Sequence, residues 1–411
     1  MKAANFEQVC ILGVGAFSKV WHVINTQYKK EYAMKQLSKS KLIDKNCVKD
    51  VIKERDLMSK LNHPFLVNMY FSFQDSNYLY MILDLMTGGD LRYYNLKKKI
   101  FSENECKFLA LCLIMGLEYL HANKIIHRDI KPENIVIDQF GYFYITDFGT
   151  CINYEKIEEE KKIIGSLGYM APEVILGEKY DYEIDYFALG AICYEALTGK
   201  LPYFAKSFKE IKELILANQV QIKTFEKPQG WSMESIDFIN KLIQRNPEKR
   251  LGKNGIEEIK NHPWLKDTDW QKLYLHELIS PFSSSVSSEW VIAKKFSDKN
   301  DDTTKATLER CINIENRNDF KHQFDEYFYF NRYSMKNGNG KSFINPHQKY
   351  DIKRNIINDD SFVRENNRKK LSCNTIINNN ARINSGKPNA RYSLKDGKFP
   401  KRKSIFERNG K

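Results

Sequence analysis

Apolar and polar residues alternate in short stretches near the N-terminus. Residues 6 to 24, FEQVCILGVGAFSKVWHVI, give two β-rich runs joined by a turn holding Gly13 and Gly15, and EYAMKQL from Glu31 gives a third. The period then changes. In CVKDVIKERDLMSKL, Val48, Val51, Ile52, Met58 and Leu61 fall roughly on one helical face. HPFLVNMYFSFQDSNYLYMILDLMTGGDLRYY supplies two more strands and then a hinge. An amphipathic helix is expected from Ser102 to His121, its apolar stripe turned to a core. Two apolar runs, Ile135 to Ile137 and Tyr142 to Ile145, fit a short hairpin around Gly141, and YDYEIDYFALGAICYEALTGKLPYF reads as a buried helix.

Composition adds limits to this pattern. A chain of 411 residues, 42% hydrophobic and 13% aromatic, is long enough for a core of about 270 residues plus extensions. No apolar run approaches the roughly 18 residues of a membrane span, and MKAANFEQ resembles neither a signal peptide nor a myristoylation site. The eight cysteines form no C-x-x-C pair, so reduced thiols in the cytoplasm, or alternatively the nucleus, are expected. The net charge of +13 is concentrated at one end: from Asn331 to Lys411, 20 Lys and Arg face 6 Asp and Glu, a balance of +14, against −1 for residues 1 to 330. That Asn- and Lys-rich tail is expected to be disordered and is a candidate contact for acidic protein, anionic lipid or nucleic acid.

The densest candidate chemistry lies in residues 127 to 149, HRDIKPENIVIDQFGYFYITDFG. The predicted hairpin would bring Asp129, Lys131, Asn134 and Asp147 to one mouth. Phosphoryl transfer needs such groups. Asp147 and Asn134 can supply hard oxygen ligands to Mg2+ on a triphosphate. Asp129 can orient an attacking hydroxyl and accept its proton, while Lys131 can neutralise charge on the moving phosphoryl group.

H-R-D-x-K-x-x-x-N followed by D-F-G resembles the eukaryotic protein kinase signature, for which these roles are the established template. The resemblance implies a two-lobed α+β fold, with a small antiparallel β lobe carrying one helix (residues 1–86) and a larger, mainly helical lobe (87–265). It also implies ATP and Mg2+ as cofactors, protein substrates and a monomeric enzyme. Gly13, Gly15 and Val20 match the glycine loop over the nucleotide, although Ser18 stands at its third glycine. Lys35 matches the phosphate-binding lysine and Glu54 its helix partner, with Leu12, Ala33 and Val136 around the adenine. Leu83 would be the gatekeeper, and the backbone from Asp84 to Met86 would meet the adenine edge.

The segment through GGDLRYY, with NHPWLKDTDW, Pro281 and Phe282, looks like the AGC group and closest to its YANK subfamily. Such kinases run a C-terminal extension, here 266–330, back over the small lobe. FDEYFYF, Phe324 to Phe330, is the candidate anchor, with Phe328 at the usual phosphosite; an isolated aromatic helix or strand is the alternative. Ser166, Asp185 and the pair Arg250 with Glu173 match family positions around the protein substrate and the catalytic loop. Lys162 falls where the activating phosphothreonine would stand, so Glu155, Glu158, Glu159 or Glu160 is a candidate anion for Arg128, against a plain solvated acidic loop.

Asp90, Glu133 and Glu195 match positions that recognise arginine upstream of the phosphoacceptor, which favours basic substrates. Ser372, Ser393 and Ser404 in the tail follow basic residues and are candidate autophosphorylation sites. The expected function is a Ser/Thr protein kinase. The rival is a pseudokinase scaffold that binds nucleotide and partner proteins, motivated by the departures at Ser18, Lys162, Phe187 and Phe328.

Overall fold

In the N-terminal part, strands β1 (Phe6–Val14), β2 (Ser18–Asn25) and β3 (Glu31–Ser38) follow one another as an antiparallel meander. Two helices interrupt it, α1 (Lys39–Asp44) and α2 (Val48–Met58), before β4 (Met69–Gln74) and β5 (Tyr78–Leu83) complete the lobe. The computed structural model describes residues 1–159, 163–205, 207–283, 324 and 327–330, without the side chains of 157–159. Along β5 the alternation sorts side chains between two cores. Leu79, Met81 and Leu83 face α2 and the main core, while Tyr80 and Ile82 join an outer aromatic cluster with Phe6, Tyr32, Phe71 and Phe73. Both faces of the sheet are therefore apolar.

Helix α2 departs from its sequence expectation at one end and on one face. It stops at Met58, so Leu61 lies beyond it, and Ile52 is only half-buried, whereas the charged Glu54 is buried. An ionic partner on β3 makes that burial tolerable.

The second lobe starts at the two-residue strand β6 (Gly89–Asp90), followed by α3 (Leu91–Lys98) and α4 (Glu103–Ala122). Ser102 and Glu105 form a capping box at the start of α4. This helix is buried around most of its circumference rather than along a stripe, because it lies between strand β9 and helix α6. Gly116 permits the approach: a Cβ there would sit 2.9 Å from Ile145 Cδ1 and 3.2 Å from the Phe65 carbonyl. After β7 (Ile125–Ile126), the expected hairpin is β8 (Ile135–Ile137) and β9 (Phe143–Ile145), antiparallel to each other, with β6 beside β8. Strand β10 (Ile152–Asn153) pairs with β7.

The remainder is helical: α5 (Pro172–Leu176), α6 (Glu183–Thr198), α7 (Phe208–Ala217), α8 (Met233–Leu242), α9 (Ile256–Lys260) and α10 (Trp270–Tyr274). Among the described residues no helix is long and apolar enough to cross a membrane. Arg250 pins these helices from inside. Its Nη1 and Nη2 donate to Glu173 Oε1 and Oε2 at 2.6 and 2.8 Å, and its guanidinium lies 5.1 Å above the Phe187 ring. Phe282 closes the back of the lobe edge-on to Phe143 at 4.8 Å.

The aromatic segment near the end of the described residues packs on the small lobe. Strand β11 (Tyr329–Phe330) extends the sheet antiparallel to β4, giving the order β1-β2-β3-β5-β4-β11. Gln74 Nε2 and Ser72 Oγ donate to the carbonyls of Phe324 and Tyr327, each at 2.6 Å. Both rings are buried, and Arg55 of α2 stacks over Tyr327 at 5.6 Å. Phe328, at the expected phosphosite, is 57% exposed. The basic tail, 331–411, lies outside the described residues, as do its three serines.

Two predictions follow from buried groups. Glu173→Ala leaves the Arg250 guanidinium uncompensated and should cost about 3–5 kcal/mol in a denaturant titration. The Tyr327 hydroxyl is buried without a hydrogen-bond partner among the described residues. Tyr327→Phe should therefore leave the melting temperature unchanged or raise it, whereas Tyr327→Ala should cost roughly 3 kcal/mol of packing.

Candidate active site

A cleft of about 610 Å³ separates the sheet of the first lobe from the β6, β8 and β9 layer of the second. That volume suits a nucleotide-sized ligand. Its lining includes Leu12, Gly13, Gly15, Val20, Ala33, Lys35, Glu54, Leu83, Asp84, Met86, Asn134, Val136 and Asp147, all singled out from sequence. Ala33 lies directly opposite Leu83 in the ladder between β3 and β5, so a small side chain and the gatekeeper position meet at the back of the cleft. Val67, Phe17 and Thr146 line it too and were not anticipated. Thr146 had a signal, since it immediately precedes Asp147, and so had Phe17, which lies between Gly15 and Ser18; Val67 is brought in by the fold.

The turn between β1 and β2 is closed by its own backbone, the Gly15 N–H donating to the Ser18 carbonyl at 2.7 Å. A Cβ at Gly15 would lie 2.8 Å from Ser18 Oγ, the serine at the third glycine position, a contact that rotation of the Ser18 side chain can relieve.

Lys35 leaves β3 toward α2, and its Nζ donates to Glu54 Oε1 at 2.6 Å while standing 4.0 Å from Asp147 Oδ1. Burial by itself would push the Lys35 ammonium down, but the charges of Glu54 and Asp147 outweigh it and hold its pKa above the ordinary lysine value. The ammonium is thus a permanent cation at the cleft. Asp147 has left-handed backbone angles, φ 65° and ψ 79°, and its carboxylate is 52% exposed, whereas the following Phe148 is buried against His127.

Asp84 plays a different part from its neighbours at the hinge. Its carboxylate accepts from Asn68 N and Nδ2, both at 2.9 Å, and from the Tyr70 hydroxyl at 2.6 Å, while its own N–H donates to the Asn68 carbonyl at 3.1 Å. Only its carbonyl remains for a ligand.

At the mouth, Lys131 Nζ donates to Asp129 Oδ2 at 2.6 Å and to Ser166 Oγ at 2.9 Å. Asn134 Nδ2 gives its hydrogens to the Asp129 carbonyl, at 2.9 Å, and to Asp129 Oδ2, at 3.2 Å, which leaves its amide oxygen to act as a ligand. Asp129 Oδ1 is buried with no partner among the described residues. A buried carboxylate oxygen left open beside a lysine and a hydroxyl is the acceptor a substrate O–H would need. An exposed carboxylate, Asp147, and the free oxygen of Asn134 are likewise the donor set a hard divalent cation takes. The residues fit a metal–nucleotide ligand.

The loop that carries Asp129 is held from below by Asp185 of α6. Its Oδ2 accepts from His127 N at 2.9 Å and its Oδ1 from Arg128 N at 3.0 Å. His121 Nε2 lies 2.9 Å from the same Oδ2. Burial opposes ionisation of Asp185, but these partners win and keep its pKa below the usual aspartate value. They also explain how Arg128 tolerates φ 69°.

Other sequence expectations are met differently. Glu155 pairs with Lys124 rather than Arg128, whose Nε donates to the Thr150 carbonyl at 2.6 Å. Lys162 and the side chains of Glu158, Glu159 and Glu160 lie outside the described residues. Of the three acidic residues assigned to substrate arginine, Asp90 accepts from Tyr93 N at 2.9 Å and so caps α3. Glu133 and Glu195 do converge, but on Arg92, which sequence reasoning had passed over.

The sequence matches the protein kinase domain family over residues 6–265. Similar proteins include a probable serine/threonine-protein kinase of Dictyostelium discoideum, 36% identical over 284 residues, covering 69% of this chain and 61% of that protein. Serine/threonine-protein kinase sgk-1 of Caenorhabditis elegans is 36% identical over 301 residues, covering 70% and 64%. Human ribosomal protein S6 kinase alpha-1 is 39% identical over 291 residues, covering 69% and 38%. The chain therefore spans about three fifths of the first two relatives and less of the third. Its relatives are Ser/Thr kinases of the AGC type. With a cleft floored by Lys35, Glu54 and Asp147 and a family match across both lobes, the chain belongs to the protein kinase domain family.

Proposed function

We propose that this protein is a Ser/Thr kinase that transfers the γ-phosphoryl group of ATP to protein hydroxyls. The observation that carries the reading is the pair of linked constellations across one cleft: Lys35 between Glu54 and Asp147, and Lys131 between Asp129 and Ser166. Lys35 orients phosphates, held there by Glu54. Asp147 and the Asn134 amide oxygen would hold Mg2+, which when bound would supply neutralisation of phosphate charge. Asp129 fixes the substrate hydroxyl through its open Oδ1 and takes up its proton, while Lys131 stabilises charge on the transferred phosphoryl. Leu12, Val20, Ala33, Leu83 and Val136 enclose the adenine, and the Asp84 carbonyl with the Met86 backbone meets its edge. Ser166, bonded to Lys131, ties the substrate platform to the catalytic loop and favours Ser or Thr acceptors. The complete set of polar groups speaks against a pseudokinase.

The lobes 1–86 and 87–265 and the AGC-like extension 266–330 are read as the working units. The closer YANK assignment rests on the GGDLRYY segment. All six cysteines among the described residues are free thiols, which supports the cytoplasm or nucleus as the compartment.

Phosphate transfer from MgATP to serine, threonine and tyrosine peptides tests the reading. Transfer to serine and threonine is expected, with Asp129→Asn lowering kcat by about 10²–10⁴-fold at nearly unchanged ATP affinity. Lys35→Met and Asp147→Asn should also abolish transfer, and ATP bound without transfer to any acceptor would overturn the assignment.

A further inference from the structure

The pair of carboxylates expected to hold a substrate arginine already holds one. Arg92, in the first turn of α3, donates from Nε to Glu133 Oε1 at 2.8 Å, from Nη1 to Glu195 Oε1 at 2.8 Å, and from Nη2 to the Tyr169 hydroxyl at 2.6 Å. Tyr169 in turn donates to Glu195 Oε2 at 2.5 Å, so both oxygens of this buried carboxylate are engaged. Burial disfavours the charged Arg92, but Glu133, Glu195 and Tyr169 raise its pKa further above its already high value. The third acidic residue, Asp90, caps the helix on which Arg92 rides.

We propose that Arg92 is a specificity-determining residue that occupies the arginine-recognition site in cis, so that this kinase takes serine and threonine peptides without requiring upstream arginine. The inference rests on the kinase reading above. Its physical basis is competition. A guanidinium tethered beside its two carboxylates acts at an effective concentration on the order of millimolar or more, and its three donors are preorganised by α3 and Tyr169. A peptide arginine at micromolar concentration would have to displace it, and even then would find one oxygen of Glu195 held by Tyr169. The cluster of Glu133, Glu195 and Arg92 carries a net charge of −1 rather than −2, which also weakens long-range attraction for basic peptides. Upstream uncharged residues are then accepted as readily as basic ones, and the basic context of Ser372, Ser393 and Ser404 confers no advantage.

The test uses the full chain and two serine peptide series, one carrying a single arginine moved through successive upstream positions and one carrying glutamine in its place. Both kcat/KM for transfer and Kd for unphosphorylatable alanine versions are measured. Wild type should discriminate between the series by less than about threefold. Arg92→Met, which keeps the aliphatic stem, should tighten binding of an arginine peptide by about tenfold or more and leave glutamine peptides unchanged, as expected of a new charged hydrogen bond. Adding Glu195→Gln to Arg92→Met should erase that gain. A wild-type preference for arginine of tenfold or more, or an unchanged ratio in a folded Arg92→Met protein, would overturn the proposal. Were Arg92→Met not to fold, the wild-type ratio and Arg92→Gln decide it. Shifted binding ratios without any transfer would sink the kinase reading, and with it the claim about phosphoacceptor choice, while leaving Arg92 as the occupant of the acidic pair.

Discussion

One buried carboxylate sets the geometry on which the rest relies. Asp185 is buried away from bulk solvent, so its charge must be answered by donors, and among them are the backbone N–H groups of the loop that carries Asp129. The loop cannot relax: Arg128 is held in a left-handed conformation that a non-glycine residue adopts only when the surroundings impose it. Asp129 follows immediately, so the position of its side chain is inherited from α6. His121 links the same carboxylate to α4, which is itself buried around most of its circumference. The site is in this sense an outgrowth of the core, where a displacement of a fraction of an ångström is resisted by close packing.

The opposite wall depends on the same logic with the signs exchanged. Glu54 sits on a helix that packs through Val48, Val51 and Met58, and its charge is tolerable only with Lys35 in reach. Helix α2 is thereby tied to β3. Tyr327 and Phe324 grip it and the neighbouring strands from outside, so the placement of Lys35 reaches back to residues nearly three hundred positions later in the chain. A cleft assembled from such remote pieces is stiff where charges must meet and open where a ligand enters.

Local pattern made most elements and the polar groups of the cleft legible. The alternation in β1 to β5, the capped helix α4 and the hairpin of β8 and β9 are each written within a short window, and HRDIKPEN with DFG places Asp129, Lys131, Asn134 and Asp147 at fixed spacing. What local pattern could not reveal depends on who stands opposite. Leu61 looked like part of α2 because its spacing suits the helix, yet the chain turns first. Glu133 and Glu195 looked like open anions since nothing nearby in sequence answers them; Arg92 does so across 41 and 103 residues. Glu155 likewise finds Lys124 instead of Arg128. Ion pairing between distant elements is decided by tertiary structure, and a count of charges along the chain carries no record of it.

The added strand β11 has a bearing on solubility. Without it, β4 would end the sheet, presenting unpaired N–H and C=O groups beside Phe71 and the outer aromatic cluster. An edge of that kind is a template for pairing with another chain. By covering it with Tyr329 and Phe330, the extension acts as the lobe's own shield against self-association. Removing Tyr329 and Phe330 would leave the polar groups of the cleft in place and open the β4 edge to pairing.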